Sequence, residues 1–250
     1  MLSRENGNYP SRGQFIGVFL KAHNREPRVP NHVGLIYVDQ KNETRALHYV
    51  TTNLLLDGPL IKPGSNDLKP YFHAPLPLEP DDAVGVAAIL ACSSMQEWLI
   101  RYSMNWPDGA GSIRKLVDED GGEALAYGFK PDEGGLTCAT FVAEVLAALG
   151  HPAVNWETWE PNRPGDLEFR EARLSEYERA PHTSITPERV REMRAQDPFY
   201  RLRPEEIAAA ATRPPVDQWP VAYEDATTLA QEVLRRFASA NTPRDIADPV

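Results

Sequence analysis

Three side chains in this 250-residue chain have the types and spacing for nucleophilic chemistry: Cys138, His32 and His48. Cys138 opens a stretch that starts at Gly134-Gly135, passes Thr137 as an N-cap and runs as one amphipathic helix to Gly150. A thiol in a first helical turn lies among backbone N–H groups without intrahelical partners, at the positive end of the dipole. Such a place favours thiolate over thiol and can hold a developing oxyanion. His32 and His48 fall on two segments rich in β-branched and aromatic residues, Asn31–Val38 and Arg45–Thr51, separated by the turn-forming Asp39-Gln40-Lys41-Asn42. Two imidazoles facing across a hairpin suit a base and its orienting partner, since one ring can fix the other's tautomer. The competing assignments are ordinary ones: Cys138 as a small apolar residue heading a core stripe, and each histidine as a structural or solvated group.

The elements that must position these groups follow from periodicity. Cys138, Phe141, Val142, Val145, Leu146 and Leu149 recur on one helical face, and the alanines opposite predict a helix enclosed by neighbours. In the hairpin, a tight turn sets His32 directly opposite His48; a register shift of two leaves them diagonal on one face, and a shift of one separates them. Gly34 shares the face of His32, where its missing side chain lets another element approach. Gly13–Leu20 reads as a first strand after a loose polar arm over 1–12. Residues 54–81, punctuated by six prolines, read as surface loop with one short strand at most, and His73 there as incidental. Val84–Leu90 is a buried-strand candidate, followed by a helix from Ser93 or Ser94 through Met104. Cys92, at that junction, is the rival nucleophile but has no motif around it. Residues 105–133 read as loop plus a short helix, in the position of a lid. Beyond Gly150, Trp156 and Trp159 lie in a loop packing back on the core. Helices are predicted from Thr186-Pro187-Glu188, from Pro204-Glu205-Glu206 and over Glu224–Ala238.

Composition narrows the function. Net charge is −10 and the pI near 5.1, which disfavours nucleic acid or an anionic membrane surface as partner. Two cysteines without metal-ligand spacing leave no expected zinc site, disulfide scaffold or cofactor. The polar N-terminus and the lack of a long apolar run predict no cleaved signal and no integral membrane segment, and hence a cytoplasmic protein.

Taken together, Gly13-Gln14-Phe15-Ile16, His32-Val33-Gly34-Leu35-Ile36-Tyr37-Val38, His48 one strand later, and Cys138-Ala139-Thr140-Phe141-Val142 opening a helix resemble a known pattern. It is that of the circularly permuted branch of the NlpC-type papain-like hydrolases, above all the lecithin:retinol acyltransferase-like proteins. The resemblance covers residues 13–53 and 135–150. It implies a Cys–His–His triad with Cys138 as nucleophile, His32 as general base and His48 orienting it. It also implies an α+β fold with a papain-like antiparallel sheet packed on the helix that carries the cysteine. The expected organisation is a core over 1–150 and a helical, proline-punctuated extension over 151–250 packed on it. The expected activity is thiol-dependent hydrolysis of a peptide, amide or acyl ester through a thioester. The alternatives are a lipid or thioester acyltransferase, or a catalytically inert binding subunit that meets a protein partner through the C-terminal helices.

Overall fold

The computed structural model describes residues 3–4, 16–22, 29–38, 44–50, 54–59, 71–78, 102–106, 113–117, 123–129, 135–180 and 185–240. Six strands form one antiparallel sheet: β1 (Ser3–Arg4), β2 (Ile16–Ala22), β3 (Pro30–Val38), β4 (Thr44–Val50), β5 (Leu54–Pro59) and β6 (Tyr71–Pro75). Their spatial order is β1-β6-β2-β3-β4-β5, and β7 (Ile113–Val117) pairs with β8 (Glu123–Phe129) as a separate ribbon. Five helices follow among the described residues: α1 (Cys138–Ala148), α2 (Asp166–Arg179), α3 (Pro187–Ala195), α4 (Pro204–Thr212) and α5 (Tyr223–Ala240). The architecture is α+β.

Strand alternation decides which side of the sheet the helices take. Val18 and Leu20 on β2, Val33, Leu35 and Tyr37 on β3, and Leu47 and Tyr49 on β4 point to one face. All are buried in one apolar cluster that also holds Phe141, Val142, Val145 and Leu146 of α1. Burying that alternate set against helices is the largest favourable contribution to the fold. The same cluster continues into Ile207 and the alanines of α4, which packs on β2 and β3 and against α1 and α5. Residues beyond Gly150 therefore cover the sheet.

The first turn of α1 matters for chemistry. Thr137 caps it: its hydroxyl accepts from the Thr140 N–H at 3.2 Å, while the Thr140 hydroxyl accepts from the Thr137 N–H at 2.7 Å. This reciprocal box satisfies the cap and third-position donors and leaves the Cys138 and Ala139 N–H groups beside the sulfur. At the far end Gly150 takes φ +83°, the left-handed region that glycine adopts without strain. The His151 N–H then closes on the Leu146 carbonyl at 2.9 Å, and the Gly150 N–H on the Ala147 carbonyl at 3.0 Å.

Several segments differ from the sequence expectation. Ser3 and Arg4 of the expected loose arm pair with Phe72 and His73 of β6. The proline-rich stretch holds two strands, because Pro59 and Pro75 stand at strand ends, where the absent N–H costs little. The helix expected to reach Met104 does not include Tyr102, which bridges Leu136 in parallel and sets its ring edge-on to Tyr177 at 5.8 Å. Where a short helix was expected in 105–133, the chain forms the β7–β8 ribbon. Helix α2 was not anticipated, since its sequence is mostly charged and only Leu174, Tyr177 and Asp166 are buried. The turn at 39–42, the Val84–Leu90 strand candidate and Cys92 lie outside the described residues.

Candidate functional site

The β3–β4 register runs Leu35↔Leu47, Ile36↔Ala46, Tyr37↔Arg45, so one further step sets His48 across from Gly34 and diagonal to His32. The imidazoles meet: His32 Nε2 lies 2.6 Å from His48 Nδ1, with ring centroids 4.8 Å apart and planes at 78°. Phe19, opposite Gly34 on β2, sets its ring 6.0 Å from His32 and 5.7 Å from His48. Gly34 makes this cluster possible. A Cβ there would stand 2.4 Å from Phe19 Cε1 and 2.7 Å from His48 Cβ. Gly34→Ala is expected to cost about 1–3 kcal/mol through overpacking and to pry the imidazoles apart; a urea midpoint matching the unsubstituted protein would contradict this.

The position of Cys138 relative to this pair is a tertiary matter. His32, Gly34 and His48 occupy the face of the sheet opposite Val33, Leu35 and Tyr49, whereas α1 packs on the latter face. Cys138 is half-buried against that helical side, and its sulfur takes the backbone N–H of Val33, the residue after His32. Among the described residues, no hydrogen bond joins the sulfur to either imidazole. All three residues nevertheless line one cavity of about 930 Å3, at the end of the sheet where β3 starts and β2 and β4 finish.

The electrostatics are those of a neutral resting site. Burial, then His48, then Lys21 push His32 down to about 3, and burial and Lys21 push His48 down to about 4. Burial pushes the Cys138 thiol up, outweighing the stabilisation of thiolate by the Val33 and Ala139 N–H groups and by Arg201. The expected preference for thiolate at the helix start is opposed by burial, which outweighs the backbone N–H groups around the sulfur. The histidines bear on stability with a definite sign. Both are neutral in folded and unfolded chains above pH 6.5. Below it the unfolded chain binds protons that the buried pair refuses. Stability is expected to be full above pH 6.5 and to fall as pH drops toward 4 and 3, by a total on the order of a few kcal/mol. His32→Phe/His48→Phe protein should lose part of that acid sensitivity in urea melts, and an unchanged slope would count against it.

The second wall of the cavity comes from residues that sequence reasoning did not single out. Phe169, Arg173 and Glu176 of α2 and Arg201, Arg203 and Glu205 at the start of α4 line it. A buried knot anchors this wall. Asp166, 1% exposed, accepts from Arg163 at 2.8 Å, Arg203 at 2.9 Å and Arg201 at 3.1 Å, while Arg163 also reaches Glu206 at 2.6 Å. Burial opposes the Arg163 charge, but Glu206 and Asp166 hold its guanidinium above the ordinary range. The run Arg201-Leu202-Arg203-Pro204-Glu205-Glu206 is the available sequence signal, yet charge runs on helix starts are usually solvated. His73 lies not in a loop but buried on β6, across from Phe19.

No described helix is long and apolar enough to cross a membrane. Comparison of the chain with protein-family models, with curated proteins and with solved structures found no match.

Proposed function

We propose that this protein is a cysteine-dependent acyl-transfer enzyme of papain-like, permuted NlpC type, with hydrolysis of an amide or acyl ester as its reaction. The observation that carries this reading is the head of α1. There the capping box leaves the Cys138 and Ala139 N–H groups without intrahelical acceptors and turned to the sulfur, in a cavity shared with the His32–His48 pair. The thiol proton would pass to His32, directly or through one water, as sulfur adds to the carbonyl carbon. Since Nε2 of His32 is engaged by His48, Nδ1 is the nitrogen left to take that proton. The oxyanion would be met by these two N–H groups as the sulfur forms its bond to carbon and gives up its negative charge. His32 would then return the proton to the leaving group, and water or an acceptor would cleave the thioester. Because the resting pair is neutral, proton transfer would accompany attack. The test is direct: p-nitrophenyl acetate should leave an acetyl group on the peptide carrying Cys138, detectable by mass spectrometry after acid quench. Acetyl found only on other residues would remove the assignment.

A second reading is favoured by one specific observation, the absence of a thiol–imidazole hydrogen bond. In it the cavity binds a small molecule or peptide without chemistry, as an inert papain-like subunit would. An unmodified Cys138 after exposure to activated ester, together with saturable binding in the cavity, would select it.

A further inference from the structure

Arg201 stands out among the cavity cations because most of its hydrogen-bonding capacity is unspent. Its guanidinium carbon lies over the Phe169 ring, 3.4 Å from the centroid, and its side chain is 18% exposed. One N–H reaches Asp166 at 3.1 Å, a carboxylate already shared with Arg163 and Arg203. The remaining donors have no partner among the described residues. Of the other carboxylates on this wall, Glu176 pairs with Arg173, while Glu205 makes neither ion pair nor hydrogen bond with Arg201; burial, the largest influence on Glu205, favours its uncharged form against the pull of the Arg201 charge. Arg201 and Cys138 line the same cavity, and Arg201 is the cation whose charge is felt at the thiol.

We propose that Arg201 sets the substrate class of the Cys138 site: a molecule bearing a carboxylate close to its reacting carbonyl, such as an acidic peptide or a dicarboxylic half-amide. This rests on the reading of Cys138 as nucleophile. A guanidinium seated over an aromatic ring keeps its unpaired N–H groups as a fork, the arrangement that matches a carboxylate through two parallel bonds. The chain is acidic overall, so the preference is local: desolvated walls concentrate the field of one under-compensated cation at the cavity end.

The experiment compares alkylation of Cys138 by iodoacetate and iodoacetamide, reagents of similar size that differ in charge. Each displaces iodide by the thiolate, so the ratio of their rates cancels the thiolate fraction. Labelling is read on the Cys138 peptide, which separates it from Cys92. In the folded protein the iodoacetate-to-iodoacetamide ratio should exceed that of the same cysteine in urea by about tenfold. Arg201→Gln should return it to the urea value. Sodium acetate should slow iodoacetamide labelling of the unsubstituted protein more than acetamide does, a measurement that needs no variant to fold. A folded-state ratio equal to the urea value, a ratio unmoved by Arg201→Gln, or equal effects of acetate and acetamide would overturn the proposal. Iodoacetate preference without any acetyl-enzyme would leave the carboxylate site and remove the catalytic reading; acetyl-enzyme without the preference would do the reverse.

Discussion

Cys138→Ala protein is expected to release p-nitrophenol from p-nitrophenyl acetate no faster than surface side chains and buffer do. Alanine preserves the small apolar volume at the head of α1 and the capping box, so the fold is retained while the sulfur assigned to the thioester is gone. His32→Ala should cost about two to four orders of magnitude, the usual contribution of a positioned base. His48→Ala should cost less, because it orients the ring that moves the proton; a loss equal to that of His32→Ala would mean that the two imidazoles exchange roles. The pH profile separates this from a general weakening. With the pair pushed down to about 4 and 3, the neutral base persists well below pH 6.5, so activity should hold on acidification until the protein itself unfolds. An acid limb centred on 6.5 with an intact fold would place the working base elsewhere. Wild-type turnover in Cys138→Ala would sink the nucleophile assignment.

Asp166→Ala is expected to be the most destabilising single change on the cavity wall, at about 3–5 kcal/mol, the range for breaking a buried ion pair from one side. Asp166 is the common acceptor for Arg163, Arg201 and Arg203, so its removal leaves three guanidiniums near one another with Glu206 and the Arg201 carbonyl still holding Arg163. The urea midpoint should fall without a change in slope if the loss is confined to this knot. Replacing Arg163 by Met in the same background should recover part of the loss, because the two residues belong to one network and their effects do not add. A loss under about 1 kcal/mol, typical of an exposed pair, would show that water reaches the knot.

Some of this molecule is legible from local chemistry alone. The helix from Cys138 follows from Thr137, the apolar spacing and Gly150, since caps and periodicity act within one or two turns. Helix starts at Pro187 and Pro204 follow for the same reason: a proline at the first position loses no hydrogen bond. The meeting of His32 and His48 follows from parity, because a period of two keeps residues on one face under any even shift.

Tertiary structure decided the remainder. Parity tells which residues share a face but not which face the helices will cover; that was settled by burying Val33, Leu35 and Tyr37 against α1 and α4, which turned the imidazoles to the other side. Helix α2 and the arginine knot escaped reading because their partners lie far apart in the chain and no local pattern encodes a charge that becomes buried only on folding. The sequence by itself determined helix α1, the helix starts at Pro187 and Pro204, and the common face of the two histidines under any even register shift. The placement of Cys138 around the end of the sheet from them, and of Arg201 beside it, was decided by long-range packing, whose energy depends on contacts that exist only once the chain has closed.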